Sequence, residues 1–160
     1  MHIFIKEHRE MLLTLLKHEV EFIIIGGYAV IYYGHNRTTG DLDIWIKPDN
    51  DNKQKLVNAF IEVGISDESV RNLSKIDITK TTVFFIGQVP YKIDFITKIQ
   101  GVKWNDAVEK ICLLPVEDSM VPVISYRHLI ITKMMADRPQ DKADVDHLQK
   151  INRYRNPPFE

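Results

Sequence analysis

The stretch FIIIGGYAVIYYGHNRTTGDLDIWI, residues 22–46, decides the fold. Phe22 to Ile25 is short, apolar and β-rich and stops at Gly26 and Gly27, which predicts a buried strand ending in a tight turn. Tyr28 to Tyr33 reads as a short helix closed near Gly34. Asp41 to Lys47 then alternates acidic and apolar residues as a strand does, and Pro48 ends it. Successive side chains of a strand point to opposite faces, so Asp41 and Asp43 share one face while Leu42 and Ile44 point into the core. Trp45 falls on the acidic face and is expected to wall any pocket the two acids line.

Two carboxylates this close oppose each other's ionisation unless a cation lies between them. The pair is therefore either a shared-proton site or a metal site. Oxygen-only ligands select hard ions such as Mg²⁺ or Mn²⁺ over zinc. A third acid, Asp94, interrupts the apolar run YKIDFIT, and a charge there demands a partner or solvent. Gly26 and Gly27 sit between a strand and a helix, where absent side chains let backbone N–H groups approach phosphate oxygens. Each feature alone has a plain structural reading: a turn, a solvated strand edge, a solvent-facing acid. Together they make a phosphate cradle beside a carboxylate cluster, the equipment of phosphoryl or nucleotidyl transfer.

Outward from this stretch, Met11, Leu12, Leu15 and Leu16 recur at helical spacing and predict an amphipathic helix over Ile5 to His18. The polar run DNDNK leads into a helix with Leu56, Val57, Phe60 and Ile61 on its apolar face as far as Gly64. Thr81 to Ile86 and Tyr91 to Ile96 read as a hairpin through Gly87 and Pro90, and Ile111 to Val116 as another strand. Two helices end the chain, about 125–136 and 140–152, parted by Pro139. The expected architecture is α+β or α/β, a mixed sheet flanked by helices, in a single domain over residues 1–160. Its core lies at about 20–116 and its C-terminal helical segment at about 125–152.

Composition narrows the function classes. With 21 basic and 22 acidic side chains the formal charge is −1, which argues against coating nucleic acid or anionic membrane through the overall field. The apolar stretch Phe22 to Gly34 spans 13 residues, short of the roughly 20 that a membrane-spanning helix needs. One cysteine, Cys112, allows no intrachain disulfide and no multi-cysteine zinc site. The N-terminus MHIFIKEHRE lacks the pattern of a secretory signal, and the expectation is a cytoplasmic protein.

These motifs resemble the nucleotidyltransferase superfamily whose best-known member is DNA polymerase β. That family shows an apolar strand, Gly-Gly or Gly-Ser, a gap, Asp-apolar-Asp, and later a lone Asp between apolar residues. Here the pattern reads Ile25, Gly26, Gly27, thirteen residues, Asp41-Leu42-Asp43-Ile44, then Ile93-Asp94-Phe95. The string Arg37-x-Thr39-x-Asp41-Leu42-Asp43 and the run LIITKMMADRPQDKADVDHL are similar to small bacterial members, the abortive-infection toxin type and the lincosamide nucleotidyltransferases. The resemblance implies that Asp41 and Asp43 bind both divalent ions, that Asp94 completes the second site and serves as general base, and that Gly26 and Gly27 hold the β- and γ-phosphates of a nucleoside triphosphate such as ATP. It also implies Lys133 reaching the triphosphate, against a solvated helix lysine as the alternative. Arg37 and Thr39 either contact phosphate or fix their loop.

The implied acceptor is a hydroxyl of a tRNA, a protein or a small molecule such as an antibiotic, and a homodimer or a cognate antitoxin would be the protein partner. A member of the same fold that binds nucleotide or RNA without turnover, or a toxin of a toxin-antitoxin pair, is the alternative. Lys142, Asp144 and Asp146 are expected to brace the last helix or meet water rather than do chemistry. Tyr28, Tyr32 and Tyr33 either stack on a base or pack against the sheet, and Lys150, Arg153 and Arg155 form a small basic tail. DNDNK imitates a calcium loop but carries Gln54 where the sharp turn needs glycine.

Overall fold

The computed structural model describes residues 3–155. The chain runs α1 (Lys6–Lys17), β1 (Phe22–Ile25), α2 (Gly26–Tyr32), β2 (Leu42–Ile46), α3 (Asn50–Val63), α4 (Asp67–Lys75), β3 (Val83–Ile86), β4 (Ile93–Ile96), α5 (Trp104–Val108), β5 (Cys112–Val116), β6 (Ser119–Val123), α6 (Tyr126–Ala136) and α7 (Pro139–Arg155). The strands form one mixed sheet in the order β3-β4-β2-β1-β6-β5. Only β2 with β4 and β1 with β6 are parallel. The fold class is α+β, as the alternation of apolar segments requires.

Register assigns the faces. Leu42 pairs with Ile93 and Ile44 with Phe95, and these side chains meet α3 where the Phe60 and Phe95 rings lie edge to face at 5.2 Å. The opposite face carries Ile23 and Ile25 of β1, Asp43 and Trp45 of β2, and Asp94 and Ile96 of β4. Asp49 caps α3 by accepting the Asn52 N–H at 2.7 Å, and Gly64 ends that helix at φ 91°. Asn52 is itself buried, its amide tying the Glu21 and Lys47 carbonyls that flank β1 and β2. The buried cluster reaches beyond the central strands, from Phe4 to Leu148, so α1 and α7 close the same core.

Three elements have no counterpart in the sequence expectation. In α4, DESVRNLSK, only Leu73 is buried, and the Ser66 cap carries the signal that the sparse apolar residues do not. α5 is five residues long, too short for periodicity. β6 contains Pro122, normally excluded from inner strands, and it is tolerated because β6 meets β1 through the single register pair Ile24 with Val123. β5 and β6 form a two-residue hairpin over Glu117 and Asp118, with Glu117 at φ 53° in place of the usual asparagine or glycine. Two boundaries also shift: α2 begins at Gly26 rather than Tyr28, and α7 runs from Pro139 to Arg155. Among the described residues no helix is long and apolar enough to cross a membrane.

Candidate active site

β1 and β2 are antiparallel with Ile25 opposite Asp43, so the first strand delivers the glycine pair directly beside the second acid. Gly26 stands at φ 67°, a conformation that side chains rarely adopt. A methyl group there would overlap the Asp43 carboxylate, and one at Gly27 would overlap the Thr39 side chain. The glycines thus let the first turn of α2 lie against the acidic strand. Thr39 in turn donates to the Asp41 carbonyl at 3.1 Å, which ties the 37–41 loop to the start of β2.

On the other side β2 pairs in parallel with β4, and Asp43 sits in register with Asp94. The Asp43 carboxyl is pushed up to about 7, by burial first, then by the charges of Asp94 and Asp41 and by its hydrogen bond with Asp94, with Lys133 opposing. Asp41 precedes the strand and is more open. Lys92 stands between the outer two acids, its ammonium 3.3 Å from Asp94 Oδ1 and 3.9 Å from Asp41 Oδ2, over the Phe85 ring at 5.1 Å. The turn carrying Lys92 is backed by His8 of α1, whose Nδ1 lies 3.0 Å from the Tyr28 hydroxyl. Burial lowers the His8 pKa, against the backbone carbonyls of Tyr91 and Lys92 that it faces.

Asp43 and Gly26 open into a cavity of about 370 Å³ whose far wall is Thr132 and Lys133 of α6 with Arg138, and whose rim includes Lys98. Lys133 is buried and held by two acids, 3.1 Å from Asp141 Oδ1 and 3.0 Å from Asp144 Oδ2. Arg37 holds the same Asp144 through Nε at 3.0 Å and Nη2 at 3.2 Å, and Gln140 adds a hydrogen bond at 3.0 Å. Arg138 grips Asp141 through Nε at 2.7 Å. Burial works to raise the Asp141 pKa, but hydrogen bonds from Arg138 and Lys133 hold it below the usual carboxylate range. Asp141 also accepts the Arg138 backbone N–H at 3.3 Å, the acid's half of a capping box at the start of α7, where Pro139 occupies the first turn.

The structure therefore gathers Gly26, Gly27, Thr39, Asp41, Asp43 and Asp94 at one end of β1, β2 and β4. Arg37 and Lys133 belong to an ion network behind that end, and Lys133 is not a solvated lysine. Asp144, expected to brace its helix or meet water, is the buried hub of this network, whereas Lys142 and Asp146 make exposed pairs with Asp137 and Lys150. Trp45 does not wall the Asp43 cavity: its side chain is covered by Trp104 and donates to the Thr97 carbonyl at 3.2 Å, two residues farther along the strand. Tyr28 and Tyr33 pack inward, Tyr33 donating to the Ile124 carbonyl at 2.6 Å. Lys92 was not singled out by sequence reasoning, and Arg138 and Asp141 entered it only within the C-terminal run that carries the family resemblance, without a role. For Lys92 the signal was its place two residues before Asp94, on the same face of β4.

Among the described residues, no three His, Cys, Asp or Glu side chains converge tightly enough to hold a metal ion as they stand. The donor chemistry nonetheless fits a hard divalent ion: three carboxylates, no nitrogen or sulfur, and in Asp43 a buried acid that its neighbours drive toward neutrality.

A family model described as nucleotidyl transferase of unknown function (DUF2204) matches residues 5–157. The chain belongs to this nucleotidyl transferase family. No curated protein matches the sequence at a significant level. Among solved structures, the lincomycin-bound lincosamide antibiotic adenylyltransferase LnuA superposes with a TM-score of 0.56 at 17% identity, covering 94% of this chain and 99% of that one. A Thermotoga maritima protein, described as a nucleotidyltransferase, reaches a TM-score of 0.49 at 12% identity over 97% of both chains. The family agrees with the nucleotidyltransferase resemblance of the sequence, and the lincosamide enzyme shares the fold.

Proposed function

We propose that this member of the nucleotidyl transferase family moves a nucleoside monophosphate from a triphosphate, ATP among the candidates, to a hydroxyl acceptor, with Mg²⁺ or Mn²⁺ held by Asp41, Asp43 and Asp94. The observation that carries the reading is the register of Asp43 with Asp94 across β2 and β4, beside a cavity lined also by Lys98, Lys133 and Arg138. A divalent ion bound by these acids would act as a Lewis acid on the α-phosphate.

The chain's own groups have separable tasks. Gly26 and Gly27 let phosphate oxygens approach the backbone that their missing side chains leave open. Arg138, largely exposed, presents the face of its guanidinium not taken by Asp141 to the cavity, and Lys98 adds a second charge at the rim. Lys133 and Arg37 act indirectly, by fixing Asp141 and Asp144 and so the wall itself. Asp94 accepts the proton of the acceptor hydroxyl; that oxygen bonds to the α-phosphorus as the bond to the β-phosphate oxygen breaks and pyrophosphate leaves.

The test offers each labelled triphosphate with Mg²⁺ and separate acceptor pools of tRNA, protein and small molecules. Transfer by the parent chain and none by Asp43→Ala is expected. Asp94→Ala should lose transfer while keeping most nucleotide affinity. Nucleotide binding without transfer to any pool would favour the non-catalytic alternative, and neither binding nor transfer would overturn the reading.

A further inference from the structure

The cavity beside Asp43 does not end at Lys98. The same lysine lines a second hollow of about 230 Å³ on that face of the sheet, together with Lys80, Lys103, Thr79 and Trp104. Resting on the transferase reading above, we propose that this lysine bowl takes the phosphodiester strand of an RNA acceptor, whose end then lies at the acids.

Charge is the first argument. The chain is almost neutral, with 22 acidic against 21 basic side chains, and most of its described lysines near acids are paired with them. Among the described residues the ammonium groups of Lys80, Lys98 and Lys103 have no ion-pair or hydrogen-bond partner. The acid in the field of Lys80, Asp77, is occupied by Thr79, which donates from its backbone at 3.1 Å and its hydroxyl at 2.6 Å. Three like charges around one hollow repel one another unless an anion joins them.

The second argument is the floor. Trp104 is half-buried and held edge-on against Trp45 at 5.2 Å and 86°, so the indole is fixed in orientation before anything binds. A rigid aromatic surface among cations is the combination that single-stranded nucleic acids use, bases on the ring and phosphates on the lysines. An aminated small molecule would meet three like charges there, and an acidic peptide would gain nothing from the indole. Continuity through Lys98 gives the strand a direction, from bowl to catalytic cavity.

Binding is measured by fluorescence anisotropy with a labelled short single-stranded RNA, without triphosphate, across a salt series. The double variant Lys80→Glu, Lys103→Glu should weaken RNA binding about tenfold or more and flatten the slope of log K against log salt by about 1.4, roughly 0.7 for each lost phosphate contact. Its affinity for free triphosphate should stay within about twofold of the parent. Unchanged RNA affinity and slope would overturn the assignment, as would a loss falling on triphosphate instead or an acidic peptide that binds more tightly than RNA. Lysine-dependent RNA binding by a chain that transfers nothing would retain the bowl and remove the transferase reading.

Discussion

Two groups of buried charge lie on either side of one cavity, and they are built on opposite rules. In the network of α6 and α7, two carboxylates, Asp141 and Asp144, are met by Lys133, Arg37 and Arg138, so every charge has an opposite. In the cluster of β2 and β4, the single ammonium of Lys92 meets Asp41 and Asp94 but not Asp43, which burial first and the two neighbouring acids second push to about 7. The first group has what it needs from the chain alone. The second is short of positive charge, and a divalent ion is what the proposed function would add to it.

The sharpest separation of the two is chemical. Asp43→Asn should reduce transfer by roughly a thousandfold or more, within the range for loss of a group acting on the reacting centre, while thermal unfolding shows the variant folded and no less stable than the parent. Equal stability loss in Asp43→Asn and in a network variant would erase the distinction. Lys133→Met is the counterpart: it takes from Asp141 and Asp144 the buried cation they share and leaves each only its arginine, and urea unfolding should register a loss of about 2–3 kcal/mol. A stable Lys133→Met chain that fails only in nucleotide affinity would move Lys133 from the network to the phosphate.

The cluster should also make stability depend on pH in the metal-free chain. Folded Asp43 keeps its proton up to about 7, whereas an unfolded Asp releases it near 3.8, so the stabilisation is full below about pH 4 and falls as pH rises through 7. Differential scanning calorimetry should show this decline in the parent and its absence in Asp43→Asn. Adding Mg²⁺ at pH 8 should then raise the melting temperature of the parent, by about 1.4 kcal/mol at tenfold excess over the dissociation constant, and leave Asp43→Asn unmoved. The backbone is a separate test: Gly26→Ala, at φ 67° and against the Asp43 carboxylate, should cost about 2 kcal/mol. No loss in that variant would mean that α2 does not press on the acid.

What the sequence reveals follows the same division. The acids and glycines of the cluster are legible because their geometry is local: alternation puts Asp41 and Asp43 on one face, and a glycine pair at a strand end needs only its neighbours to be interpreted. The network is not legible, because Arg37, Lys133 and Asp144 are separated by up to 107 positions and meet only once α7 folds back on α6. An Asp in a charged helix such as DKADVDHL looks solvated until its burial is known. Trp45 shows the limit of alternation itself. It gives the correct face but not the position along that face, where Trp104 covers the indole. The charged helix α4 and the proline-bearing strand β6 stayed hidden for a related reason: the period is there in Val70 and Leu73 and in Val121 and Val123, but two apolar residues in a short charged or proline-bearing segment are too few to be told from a loop.

Lys92 carries a kinetic meaning as well as an electrostatic one. An ammonium lodged between Asp41 and Asp94 is a resident tenant, and any divalent ion must evict it to reach both carboxylates. Occupancy of the centre is then a contest between a tethered cation and a free one, and the tether never leaves. If these acids hold a divalent ion as proposed, that contest would set the ion concentration at which the centre fills, and the displaced ammonium would have the face of Phe85 beside it.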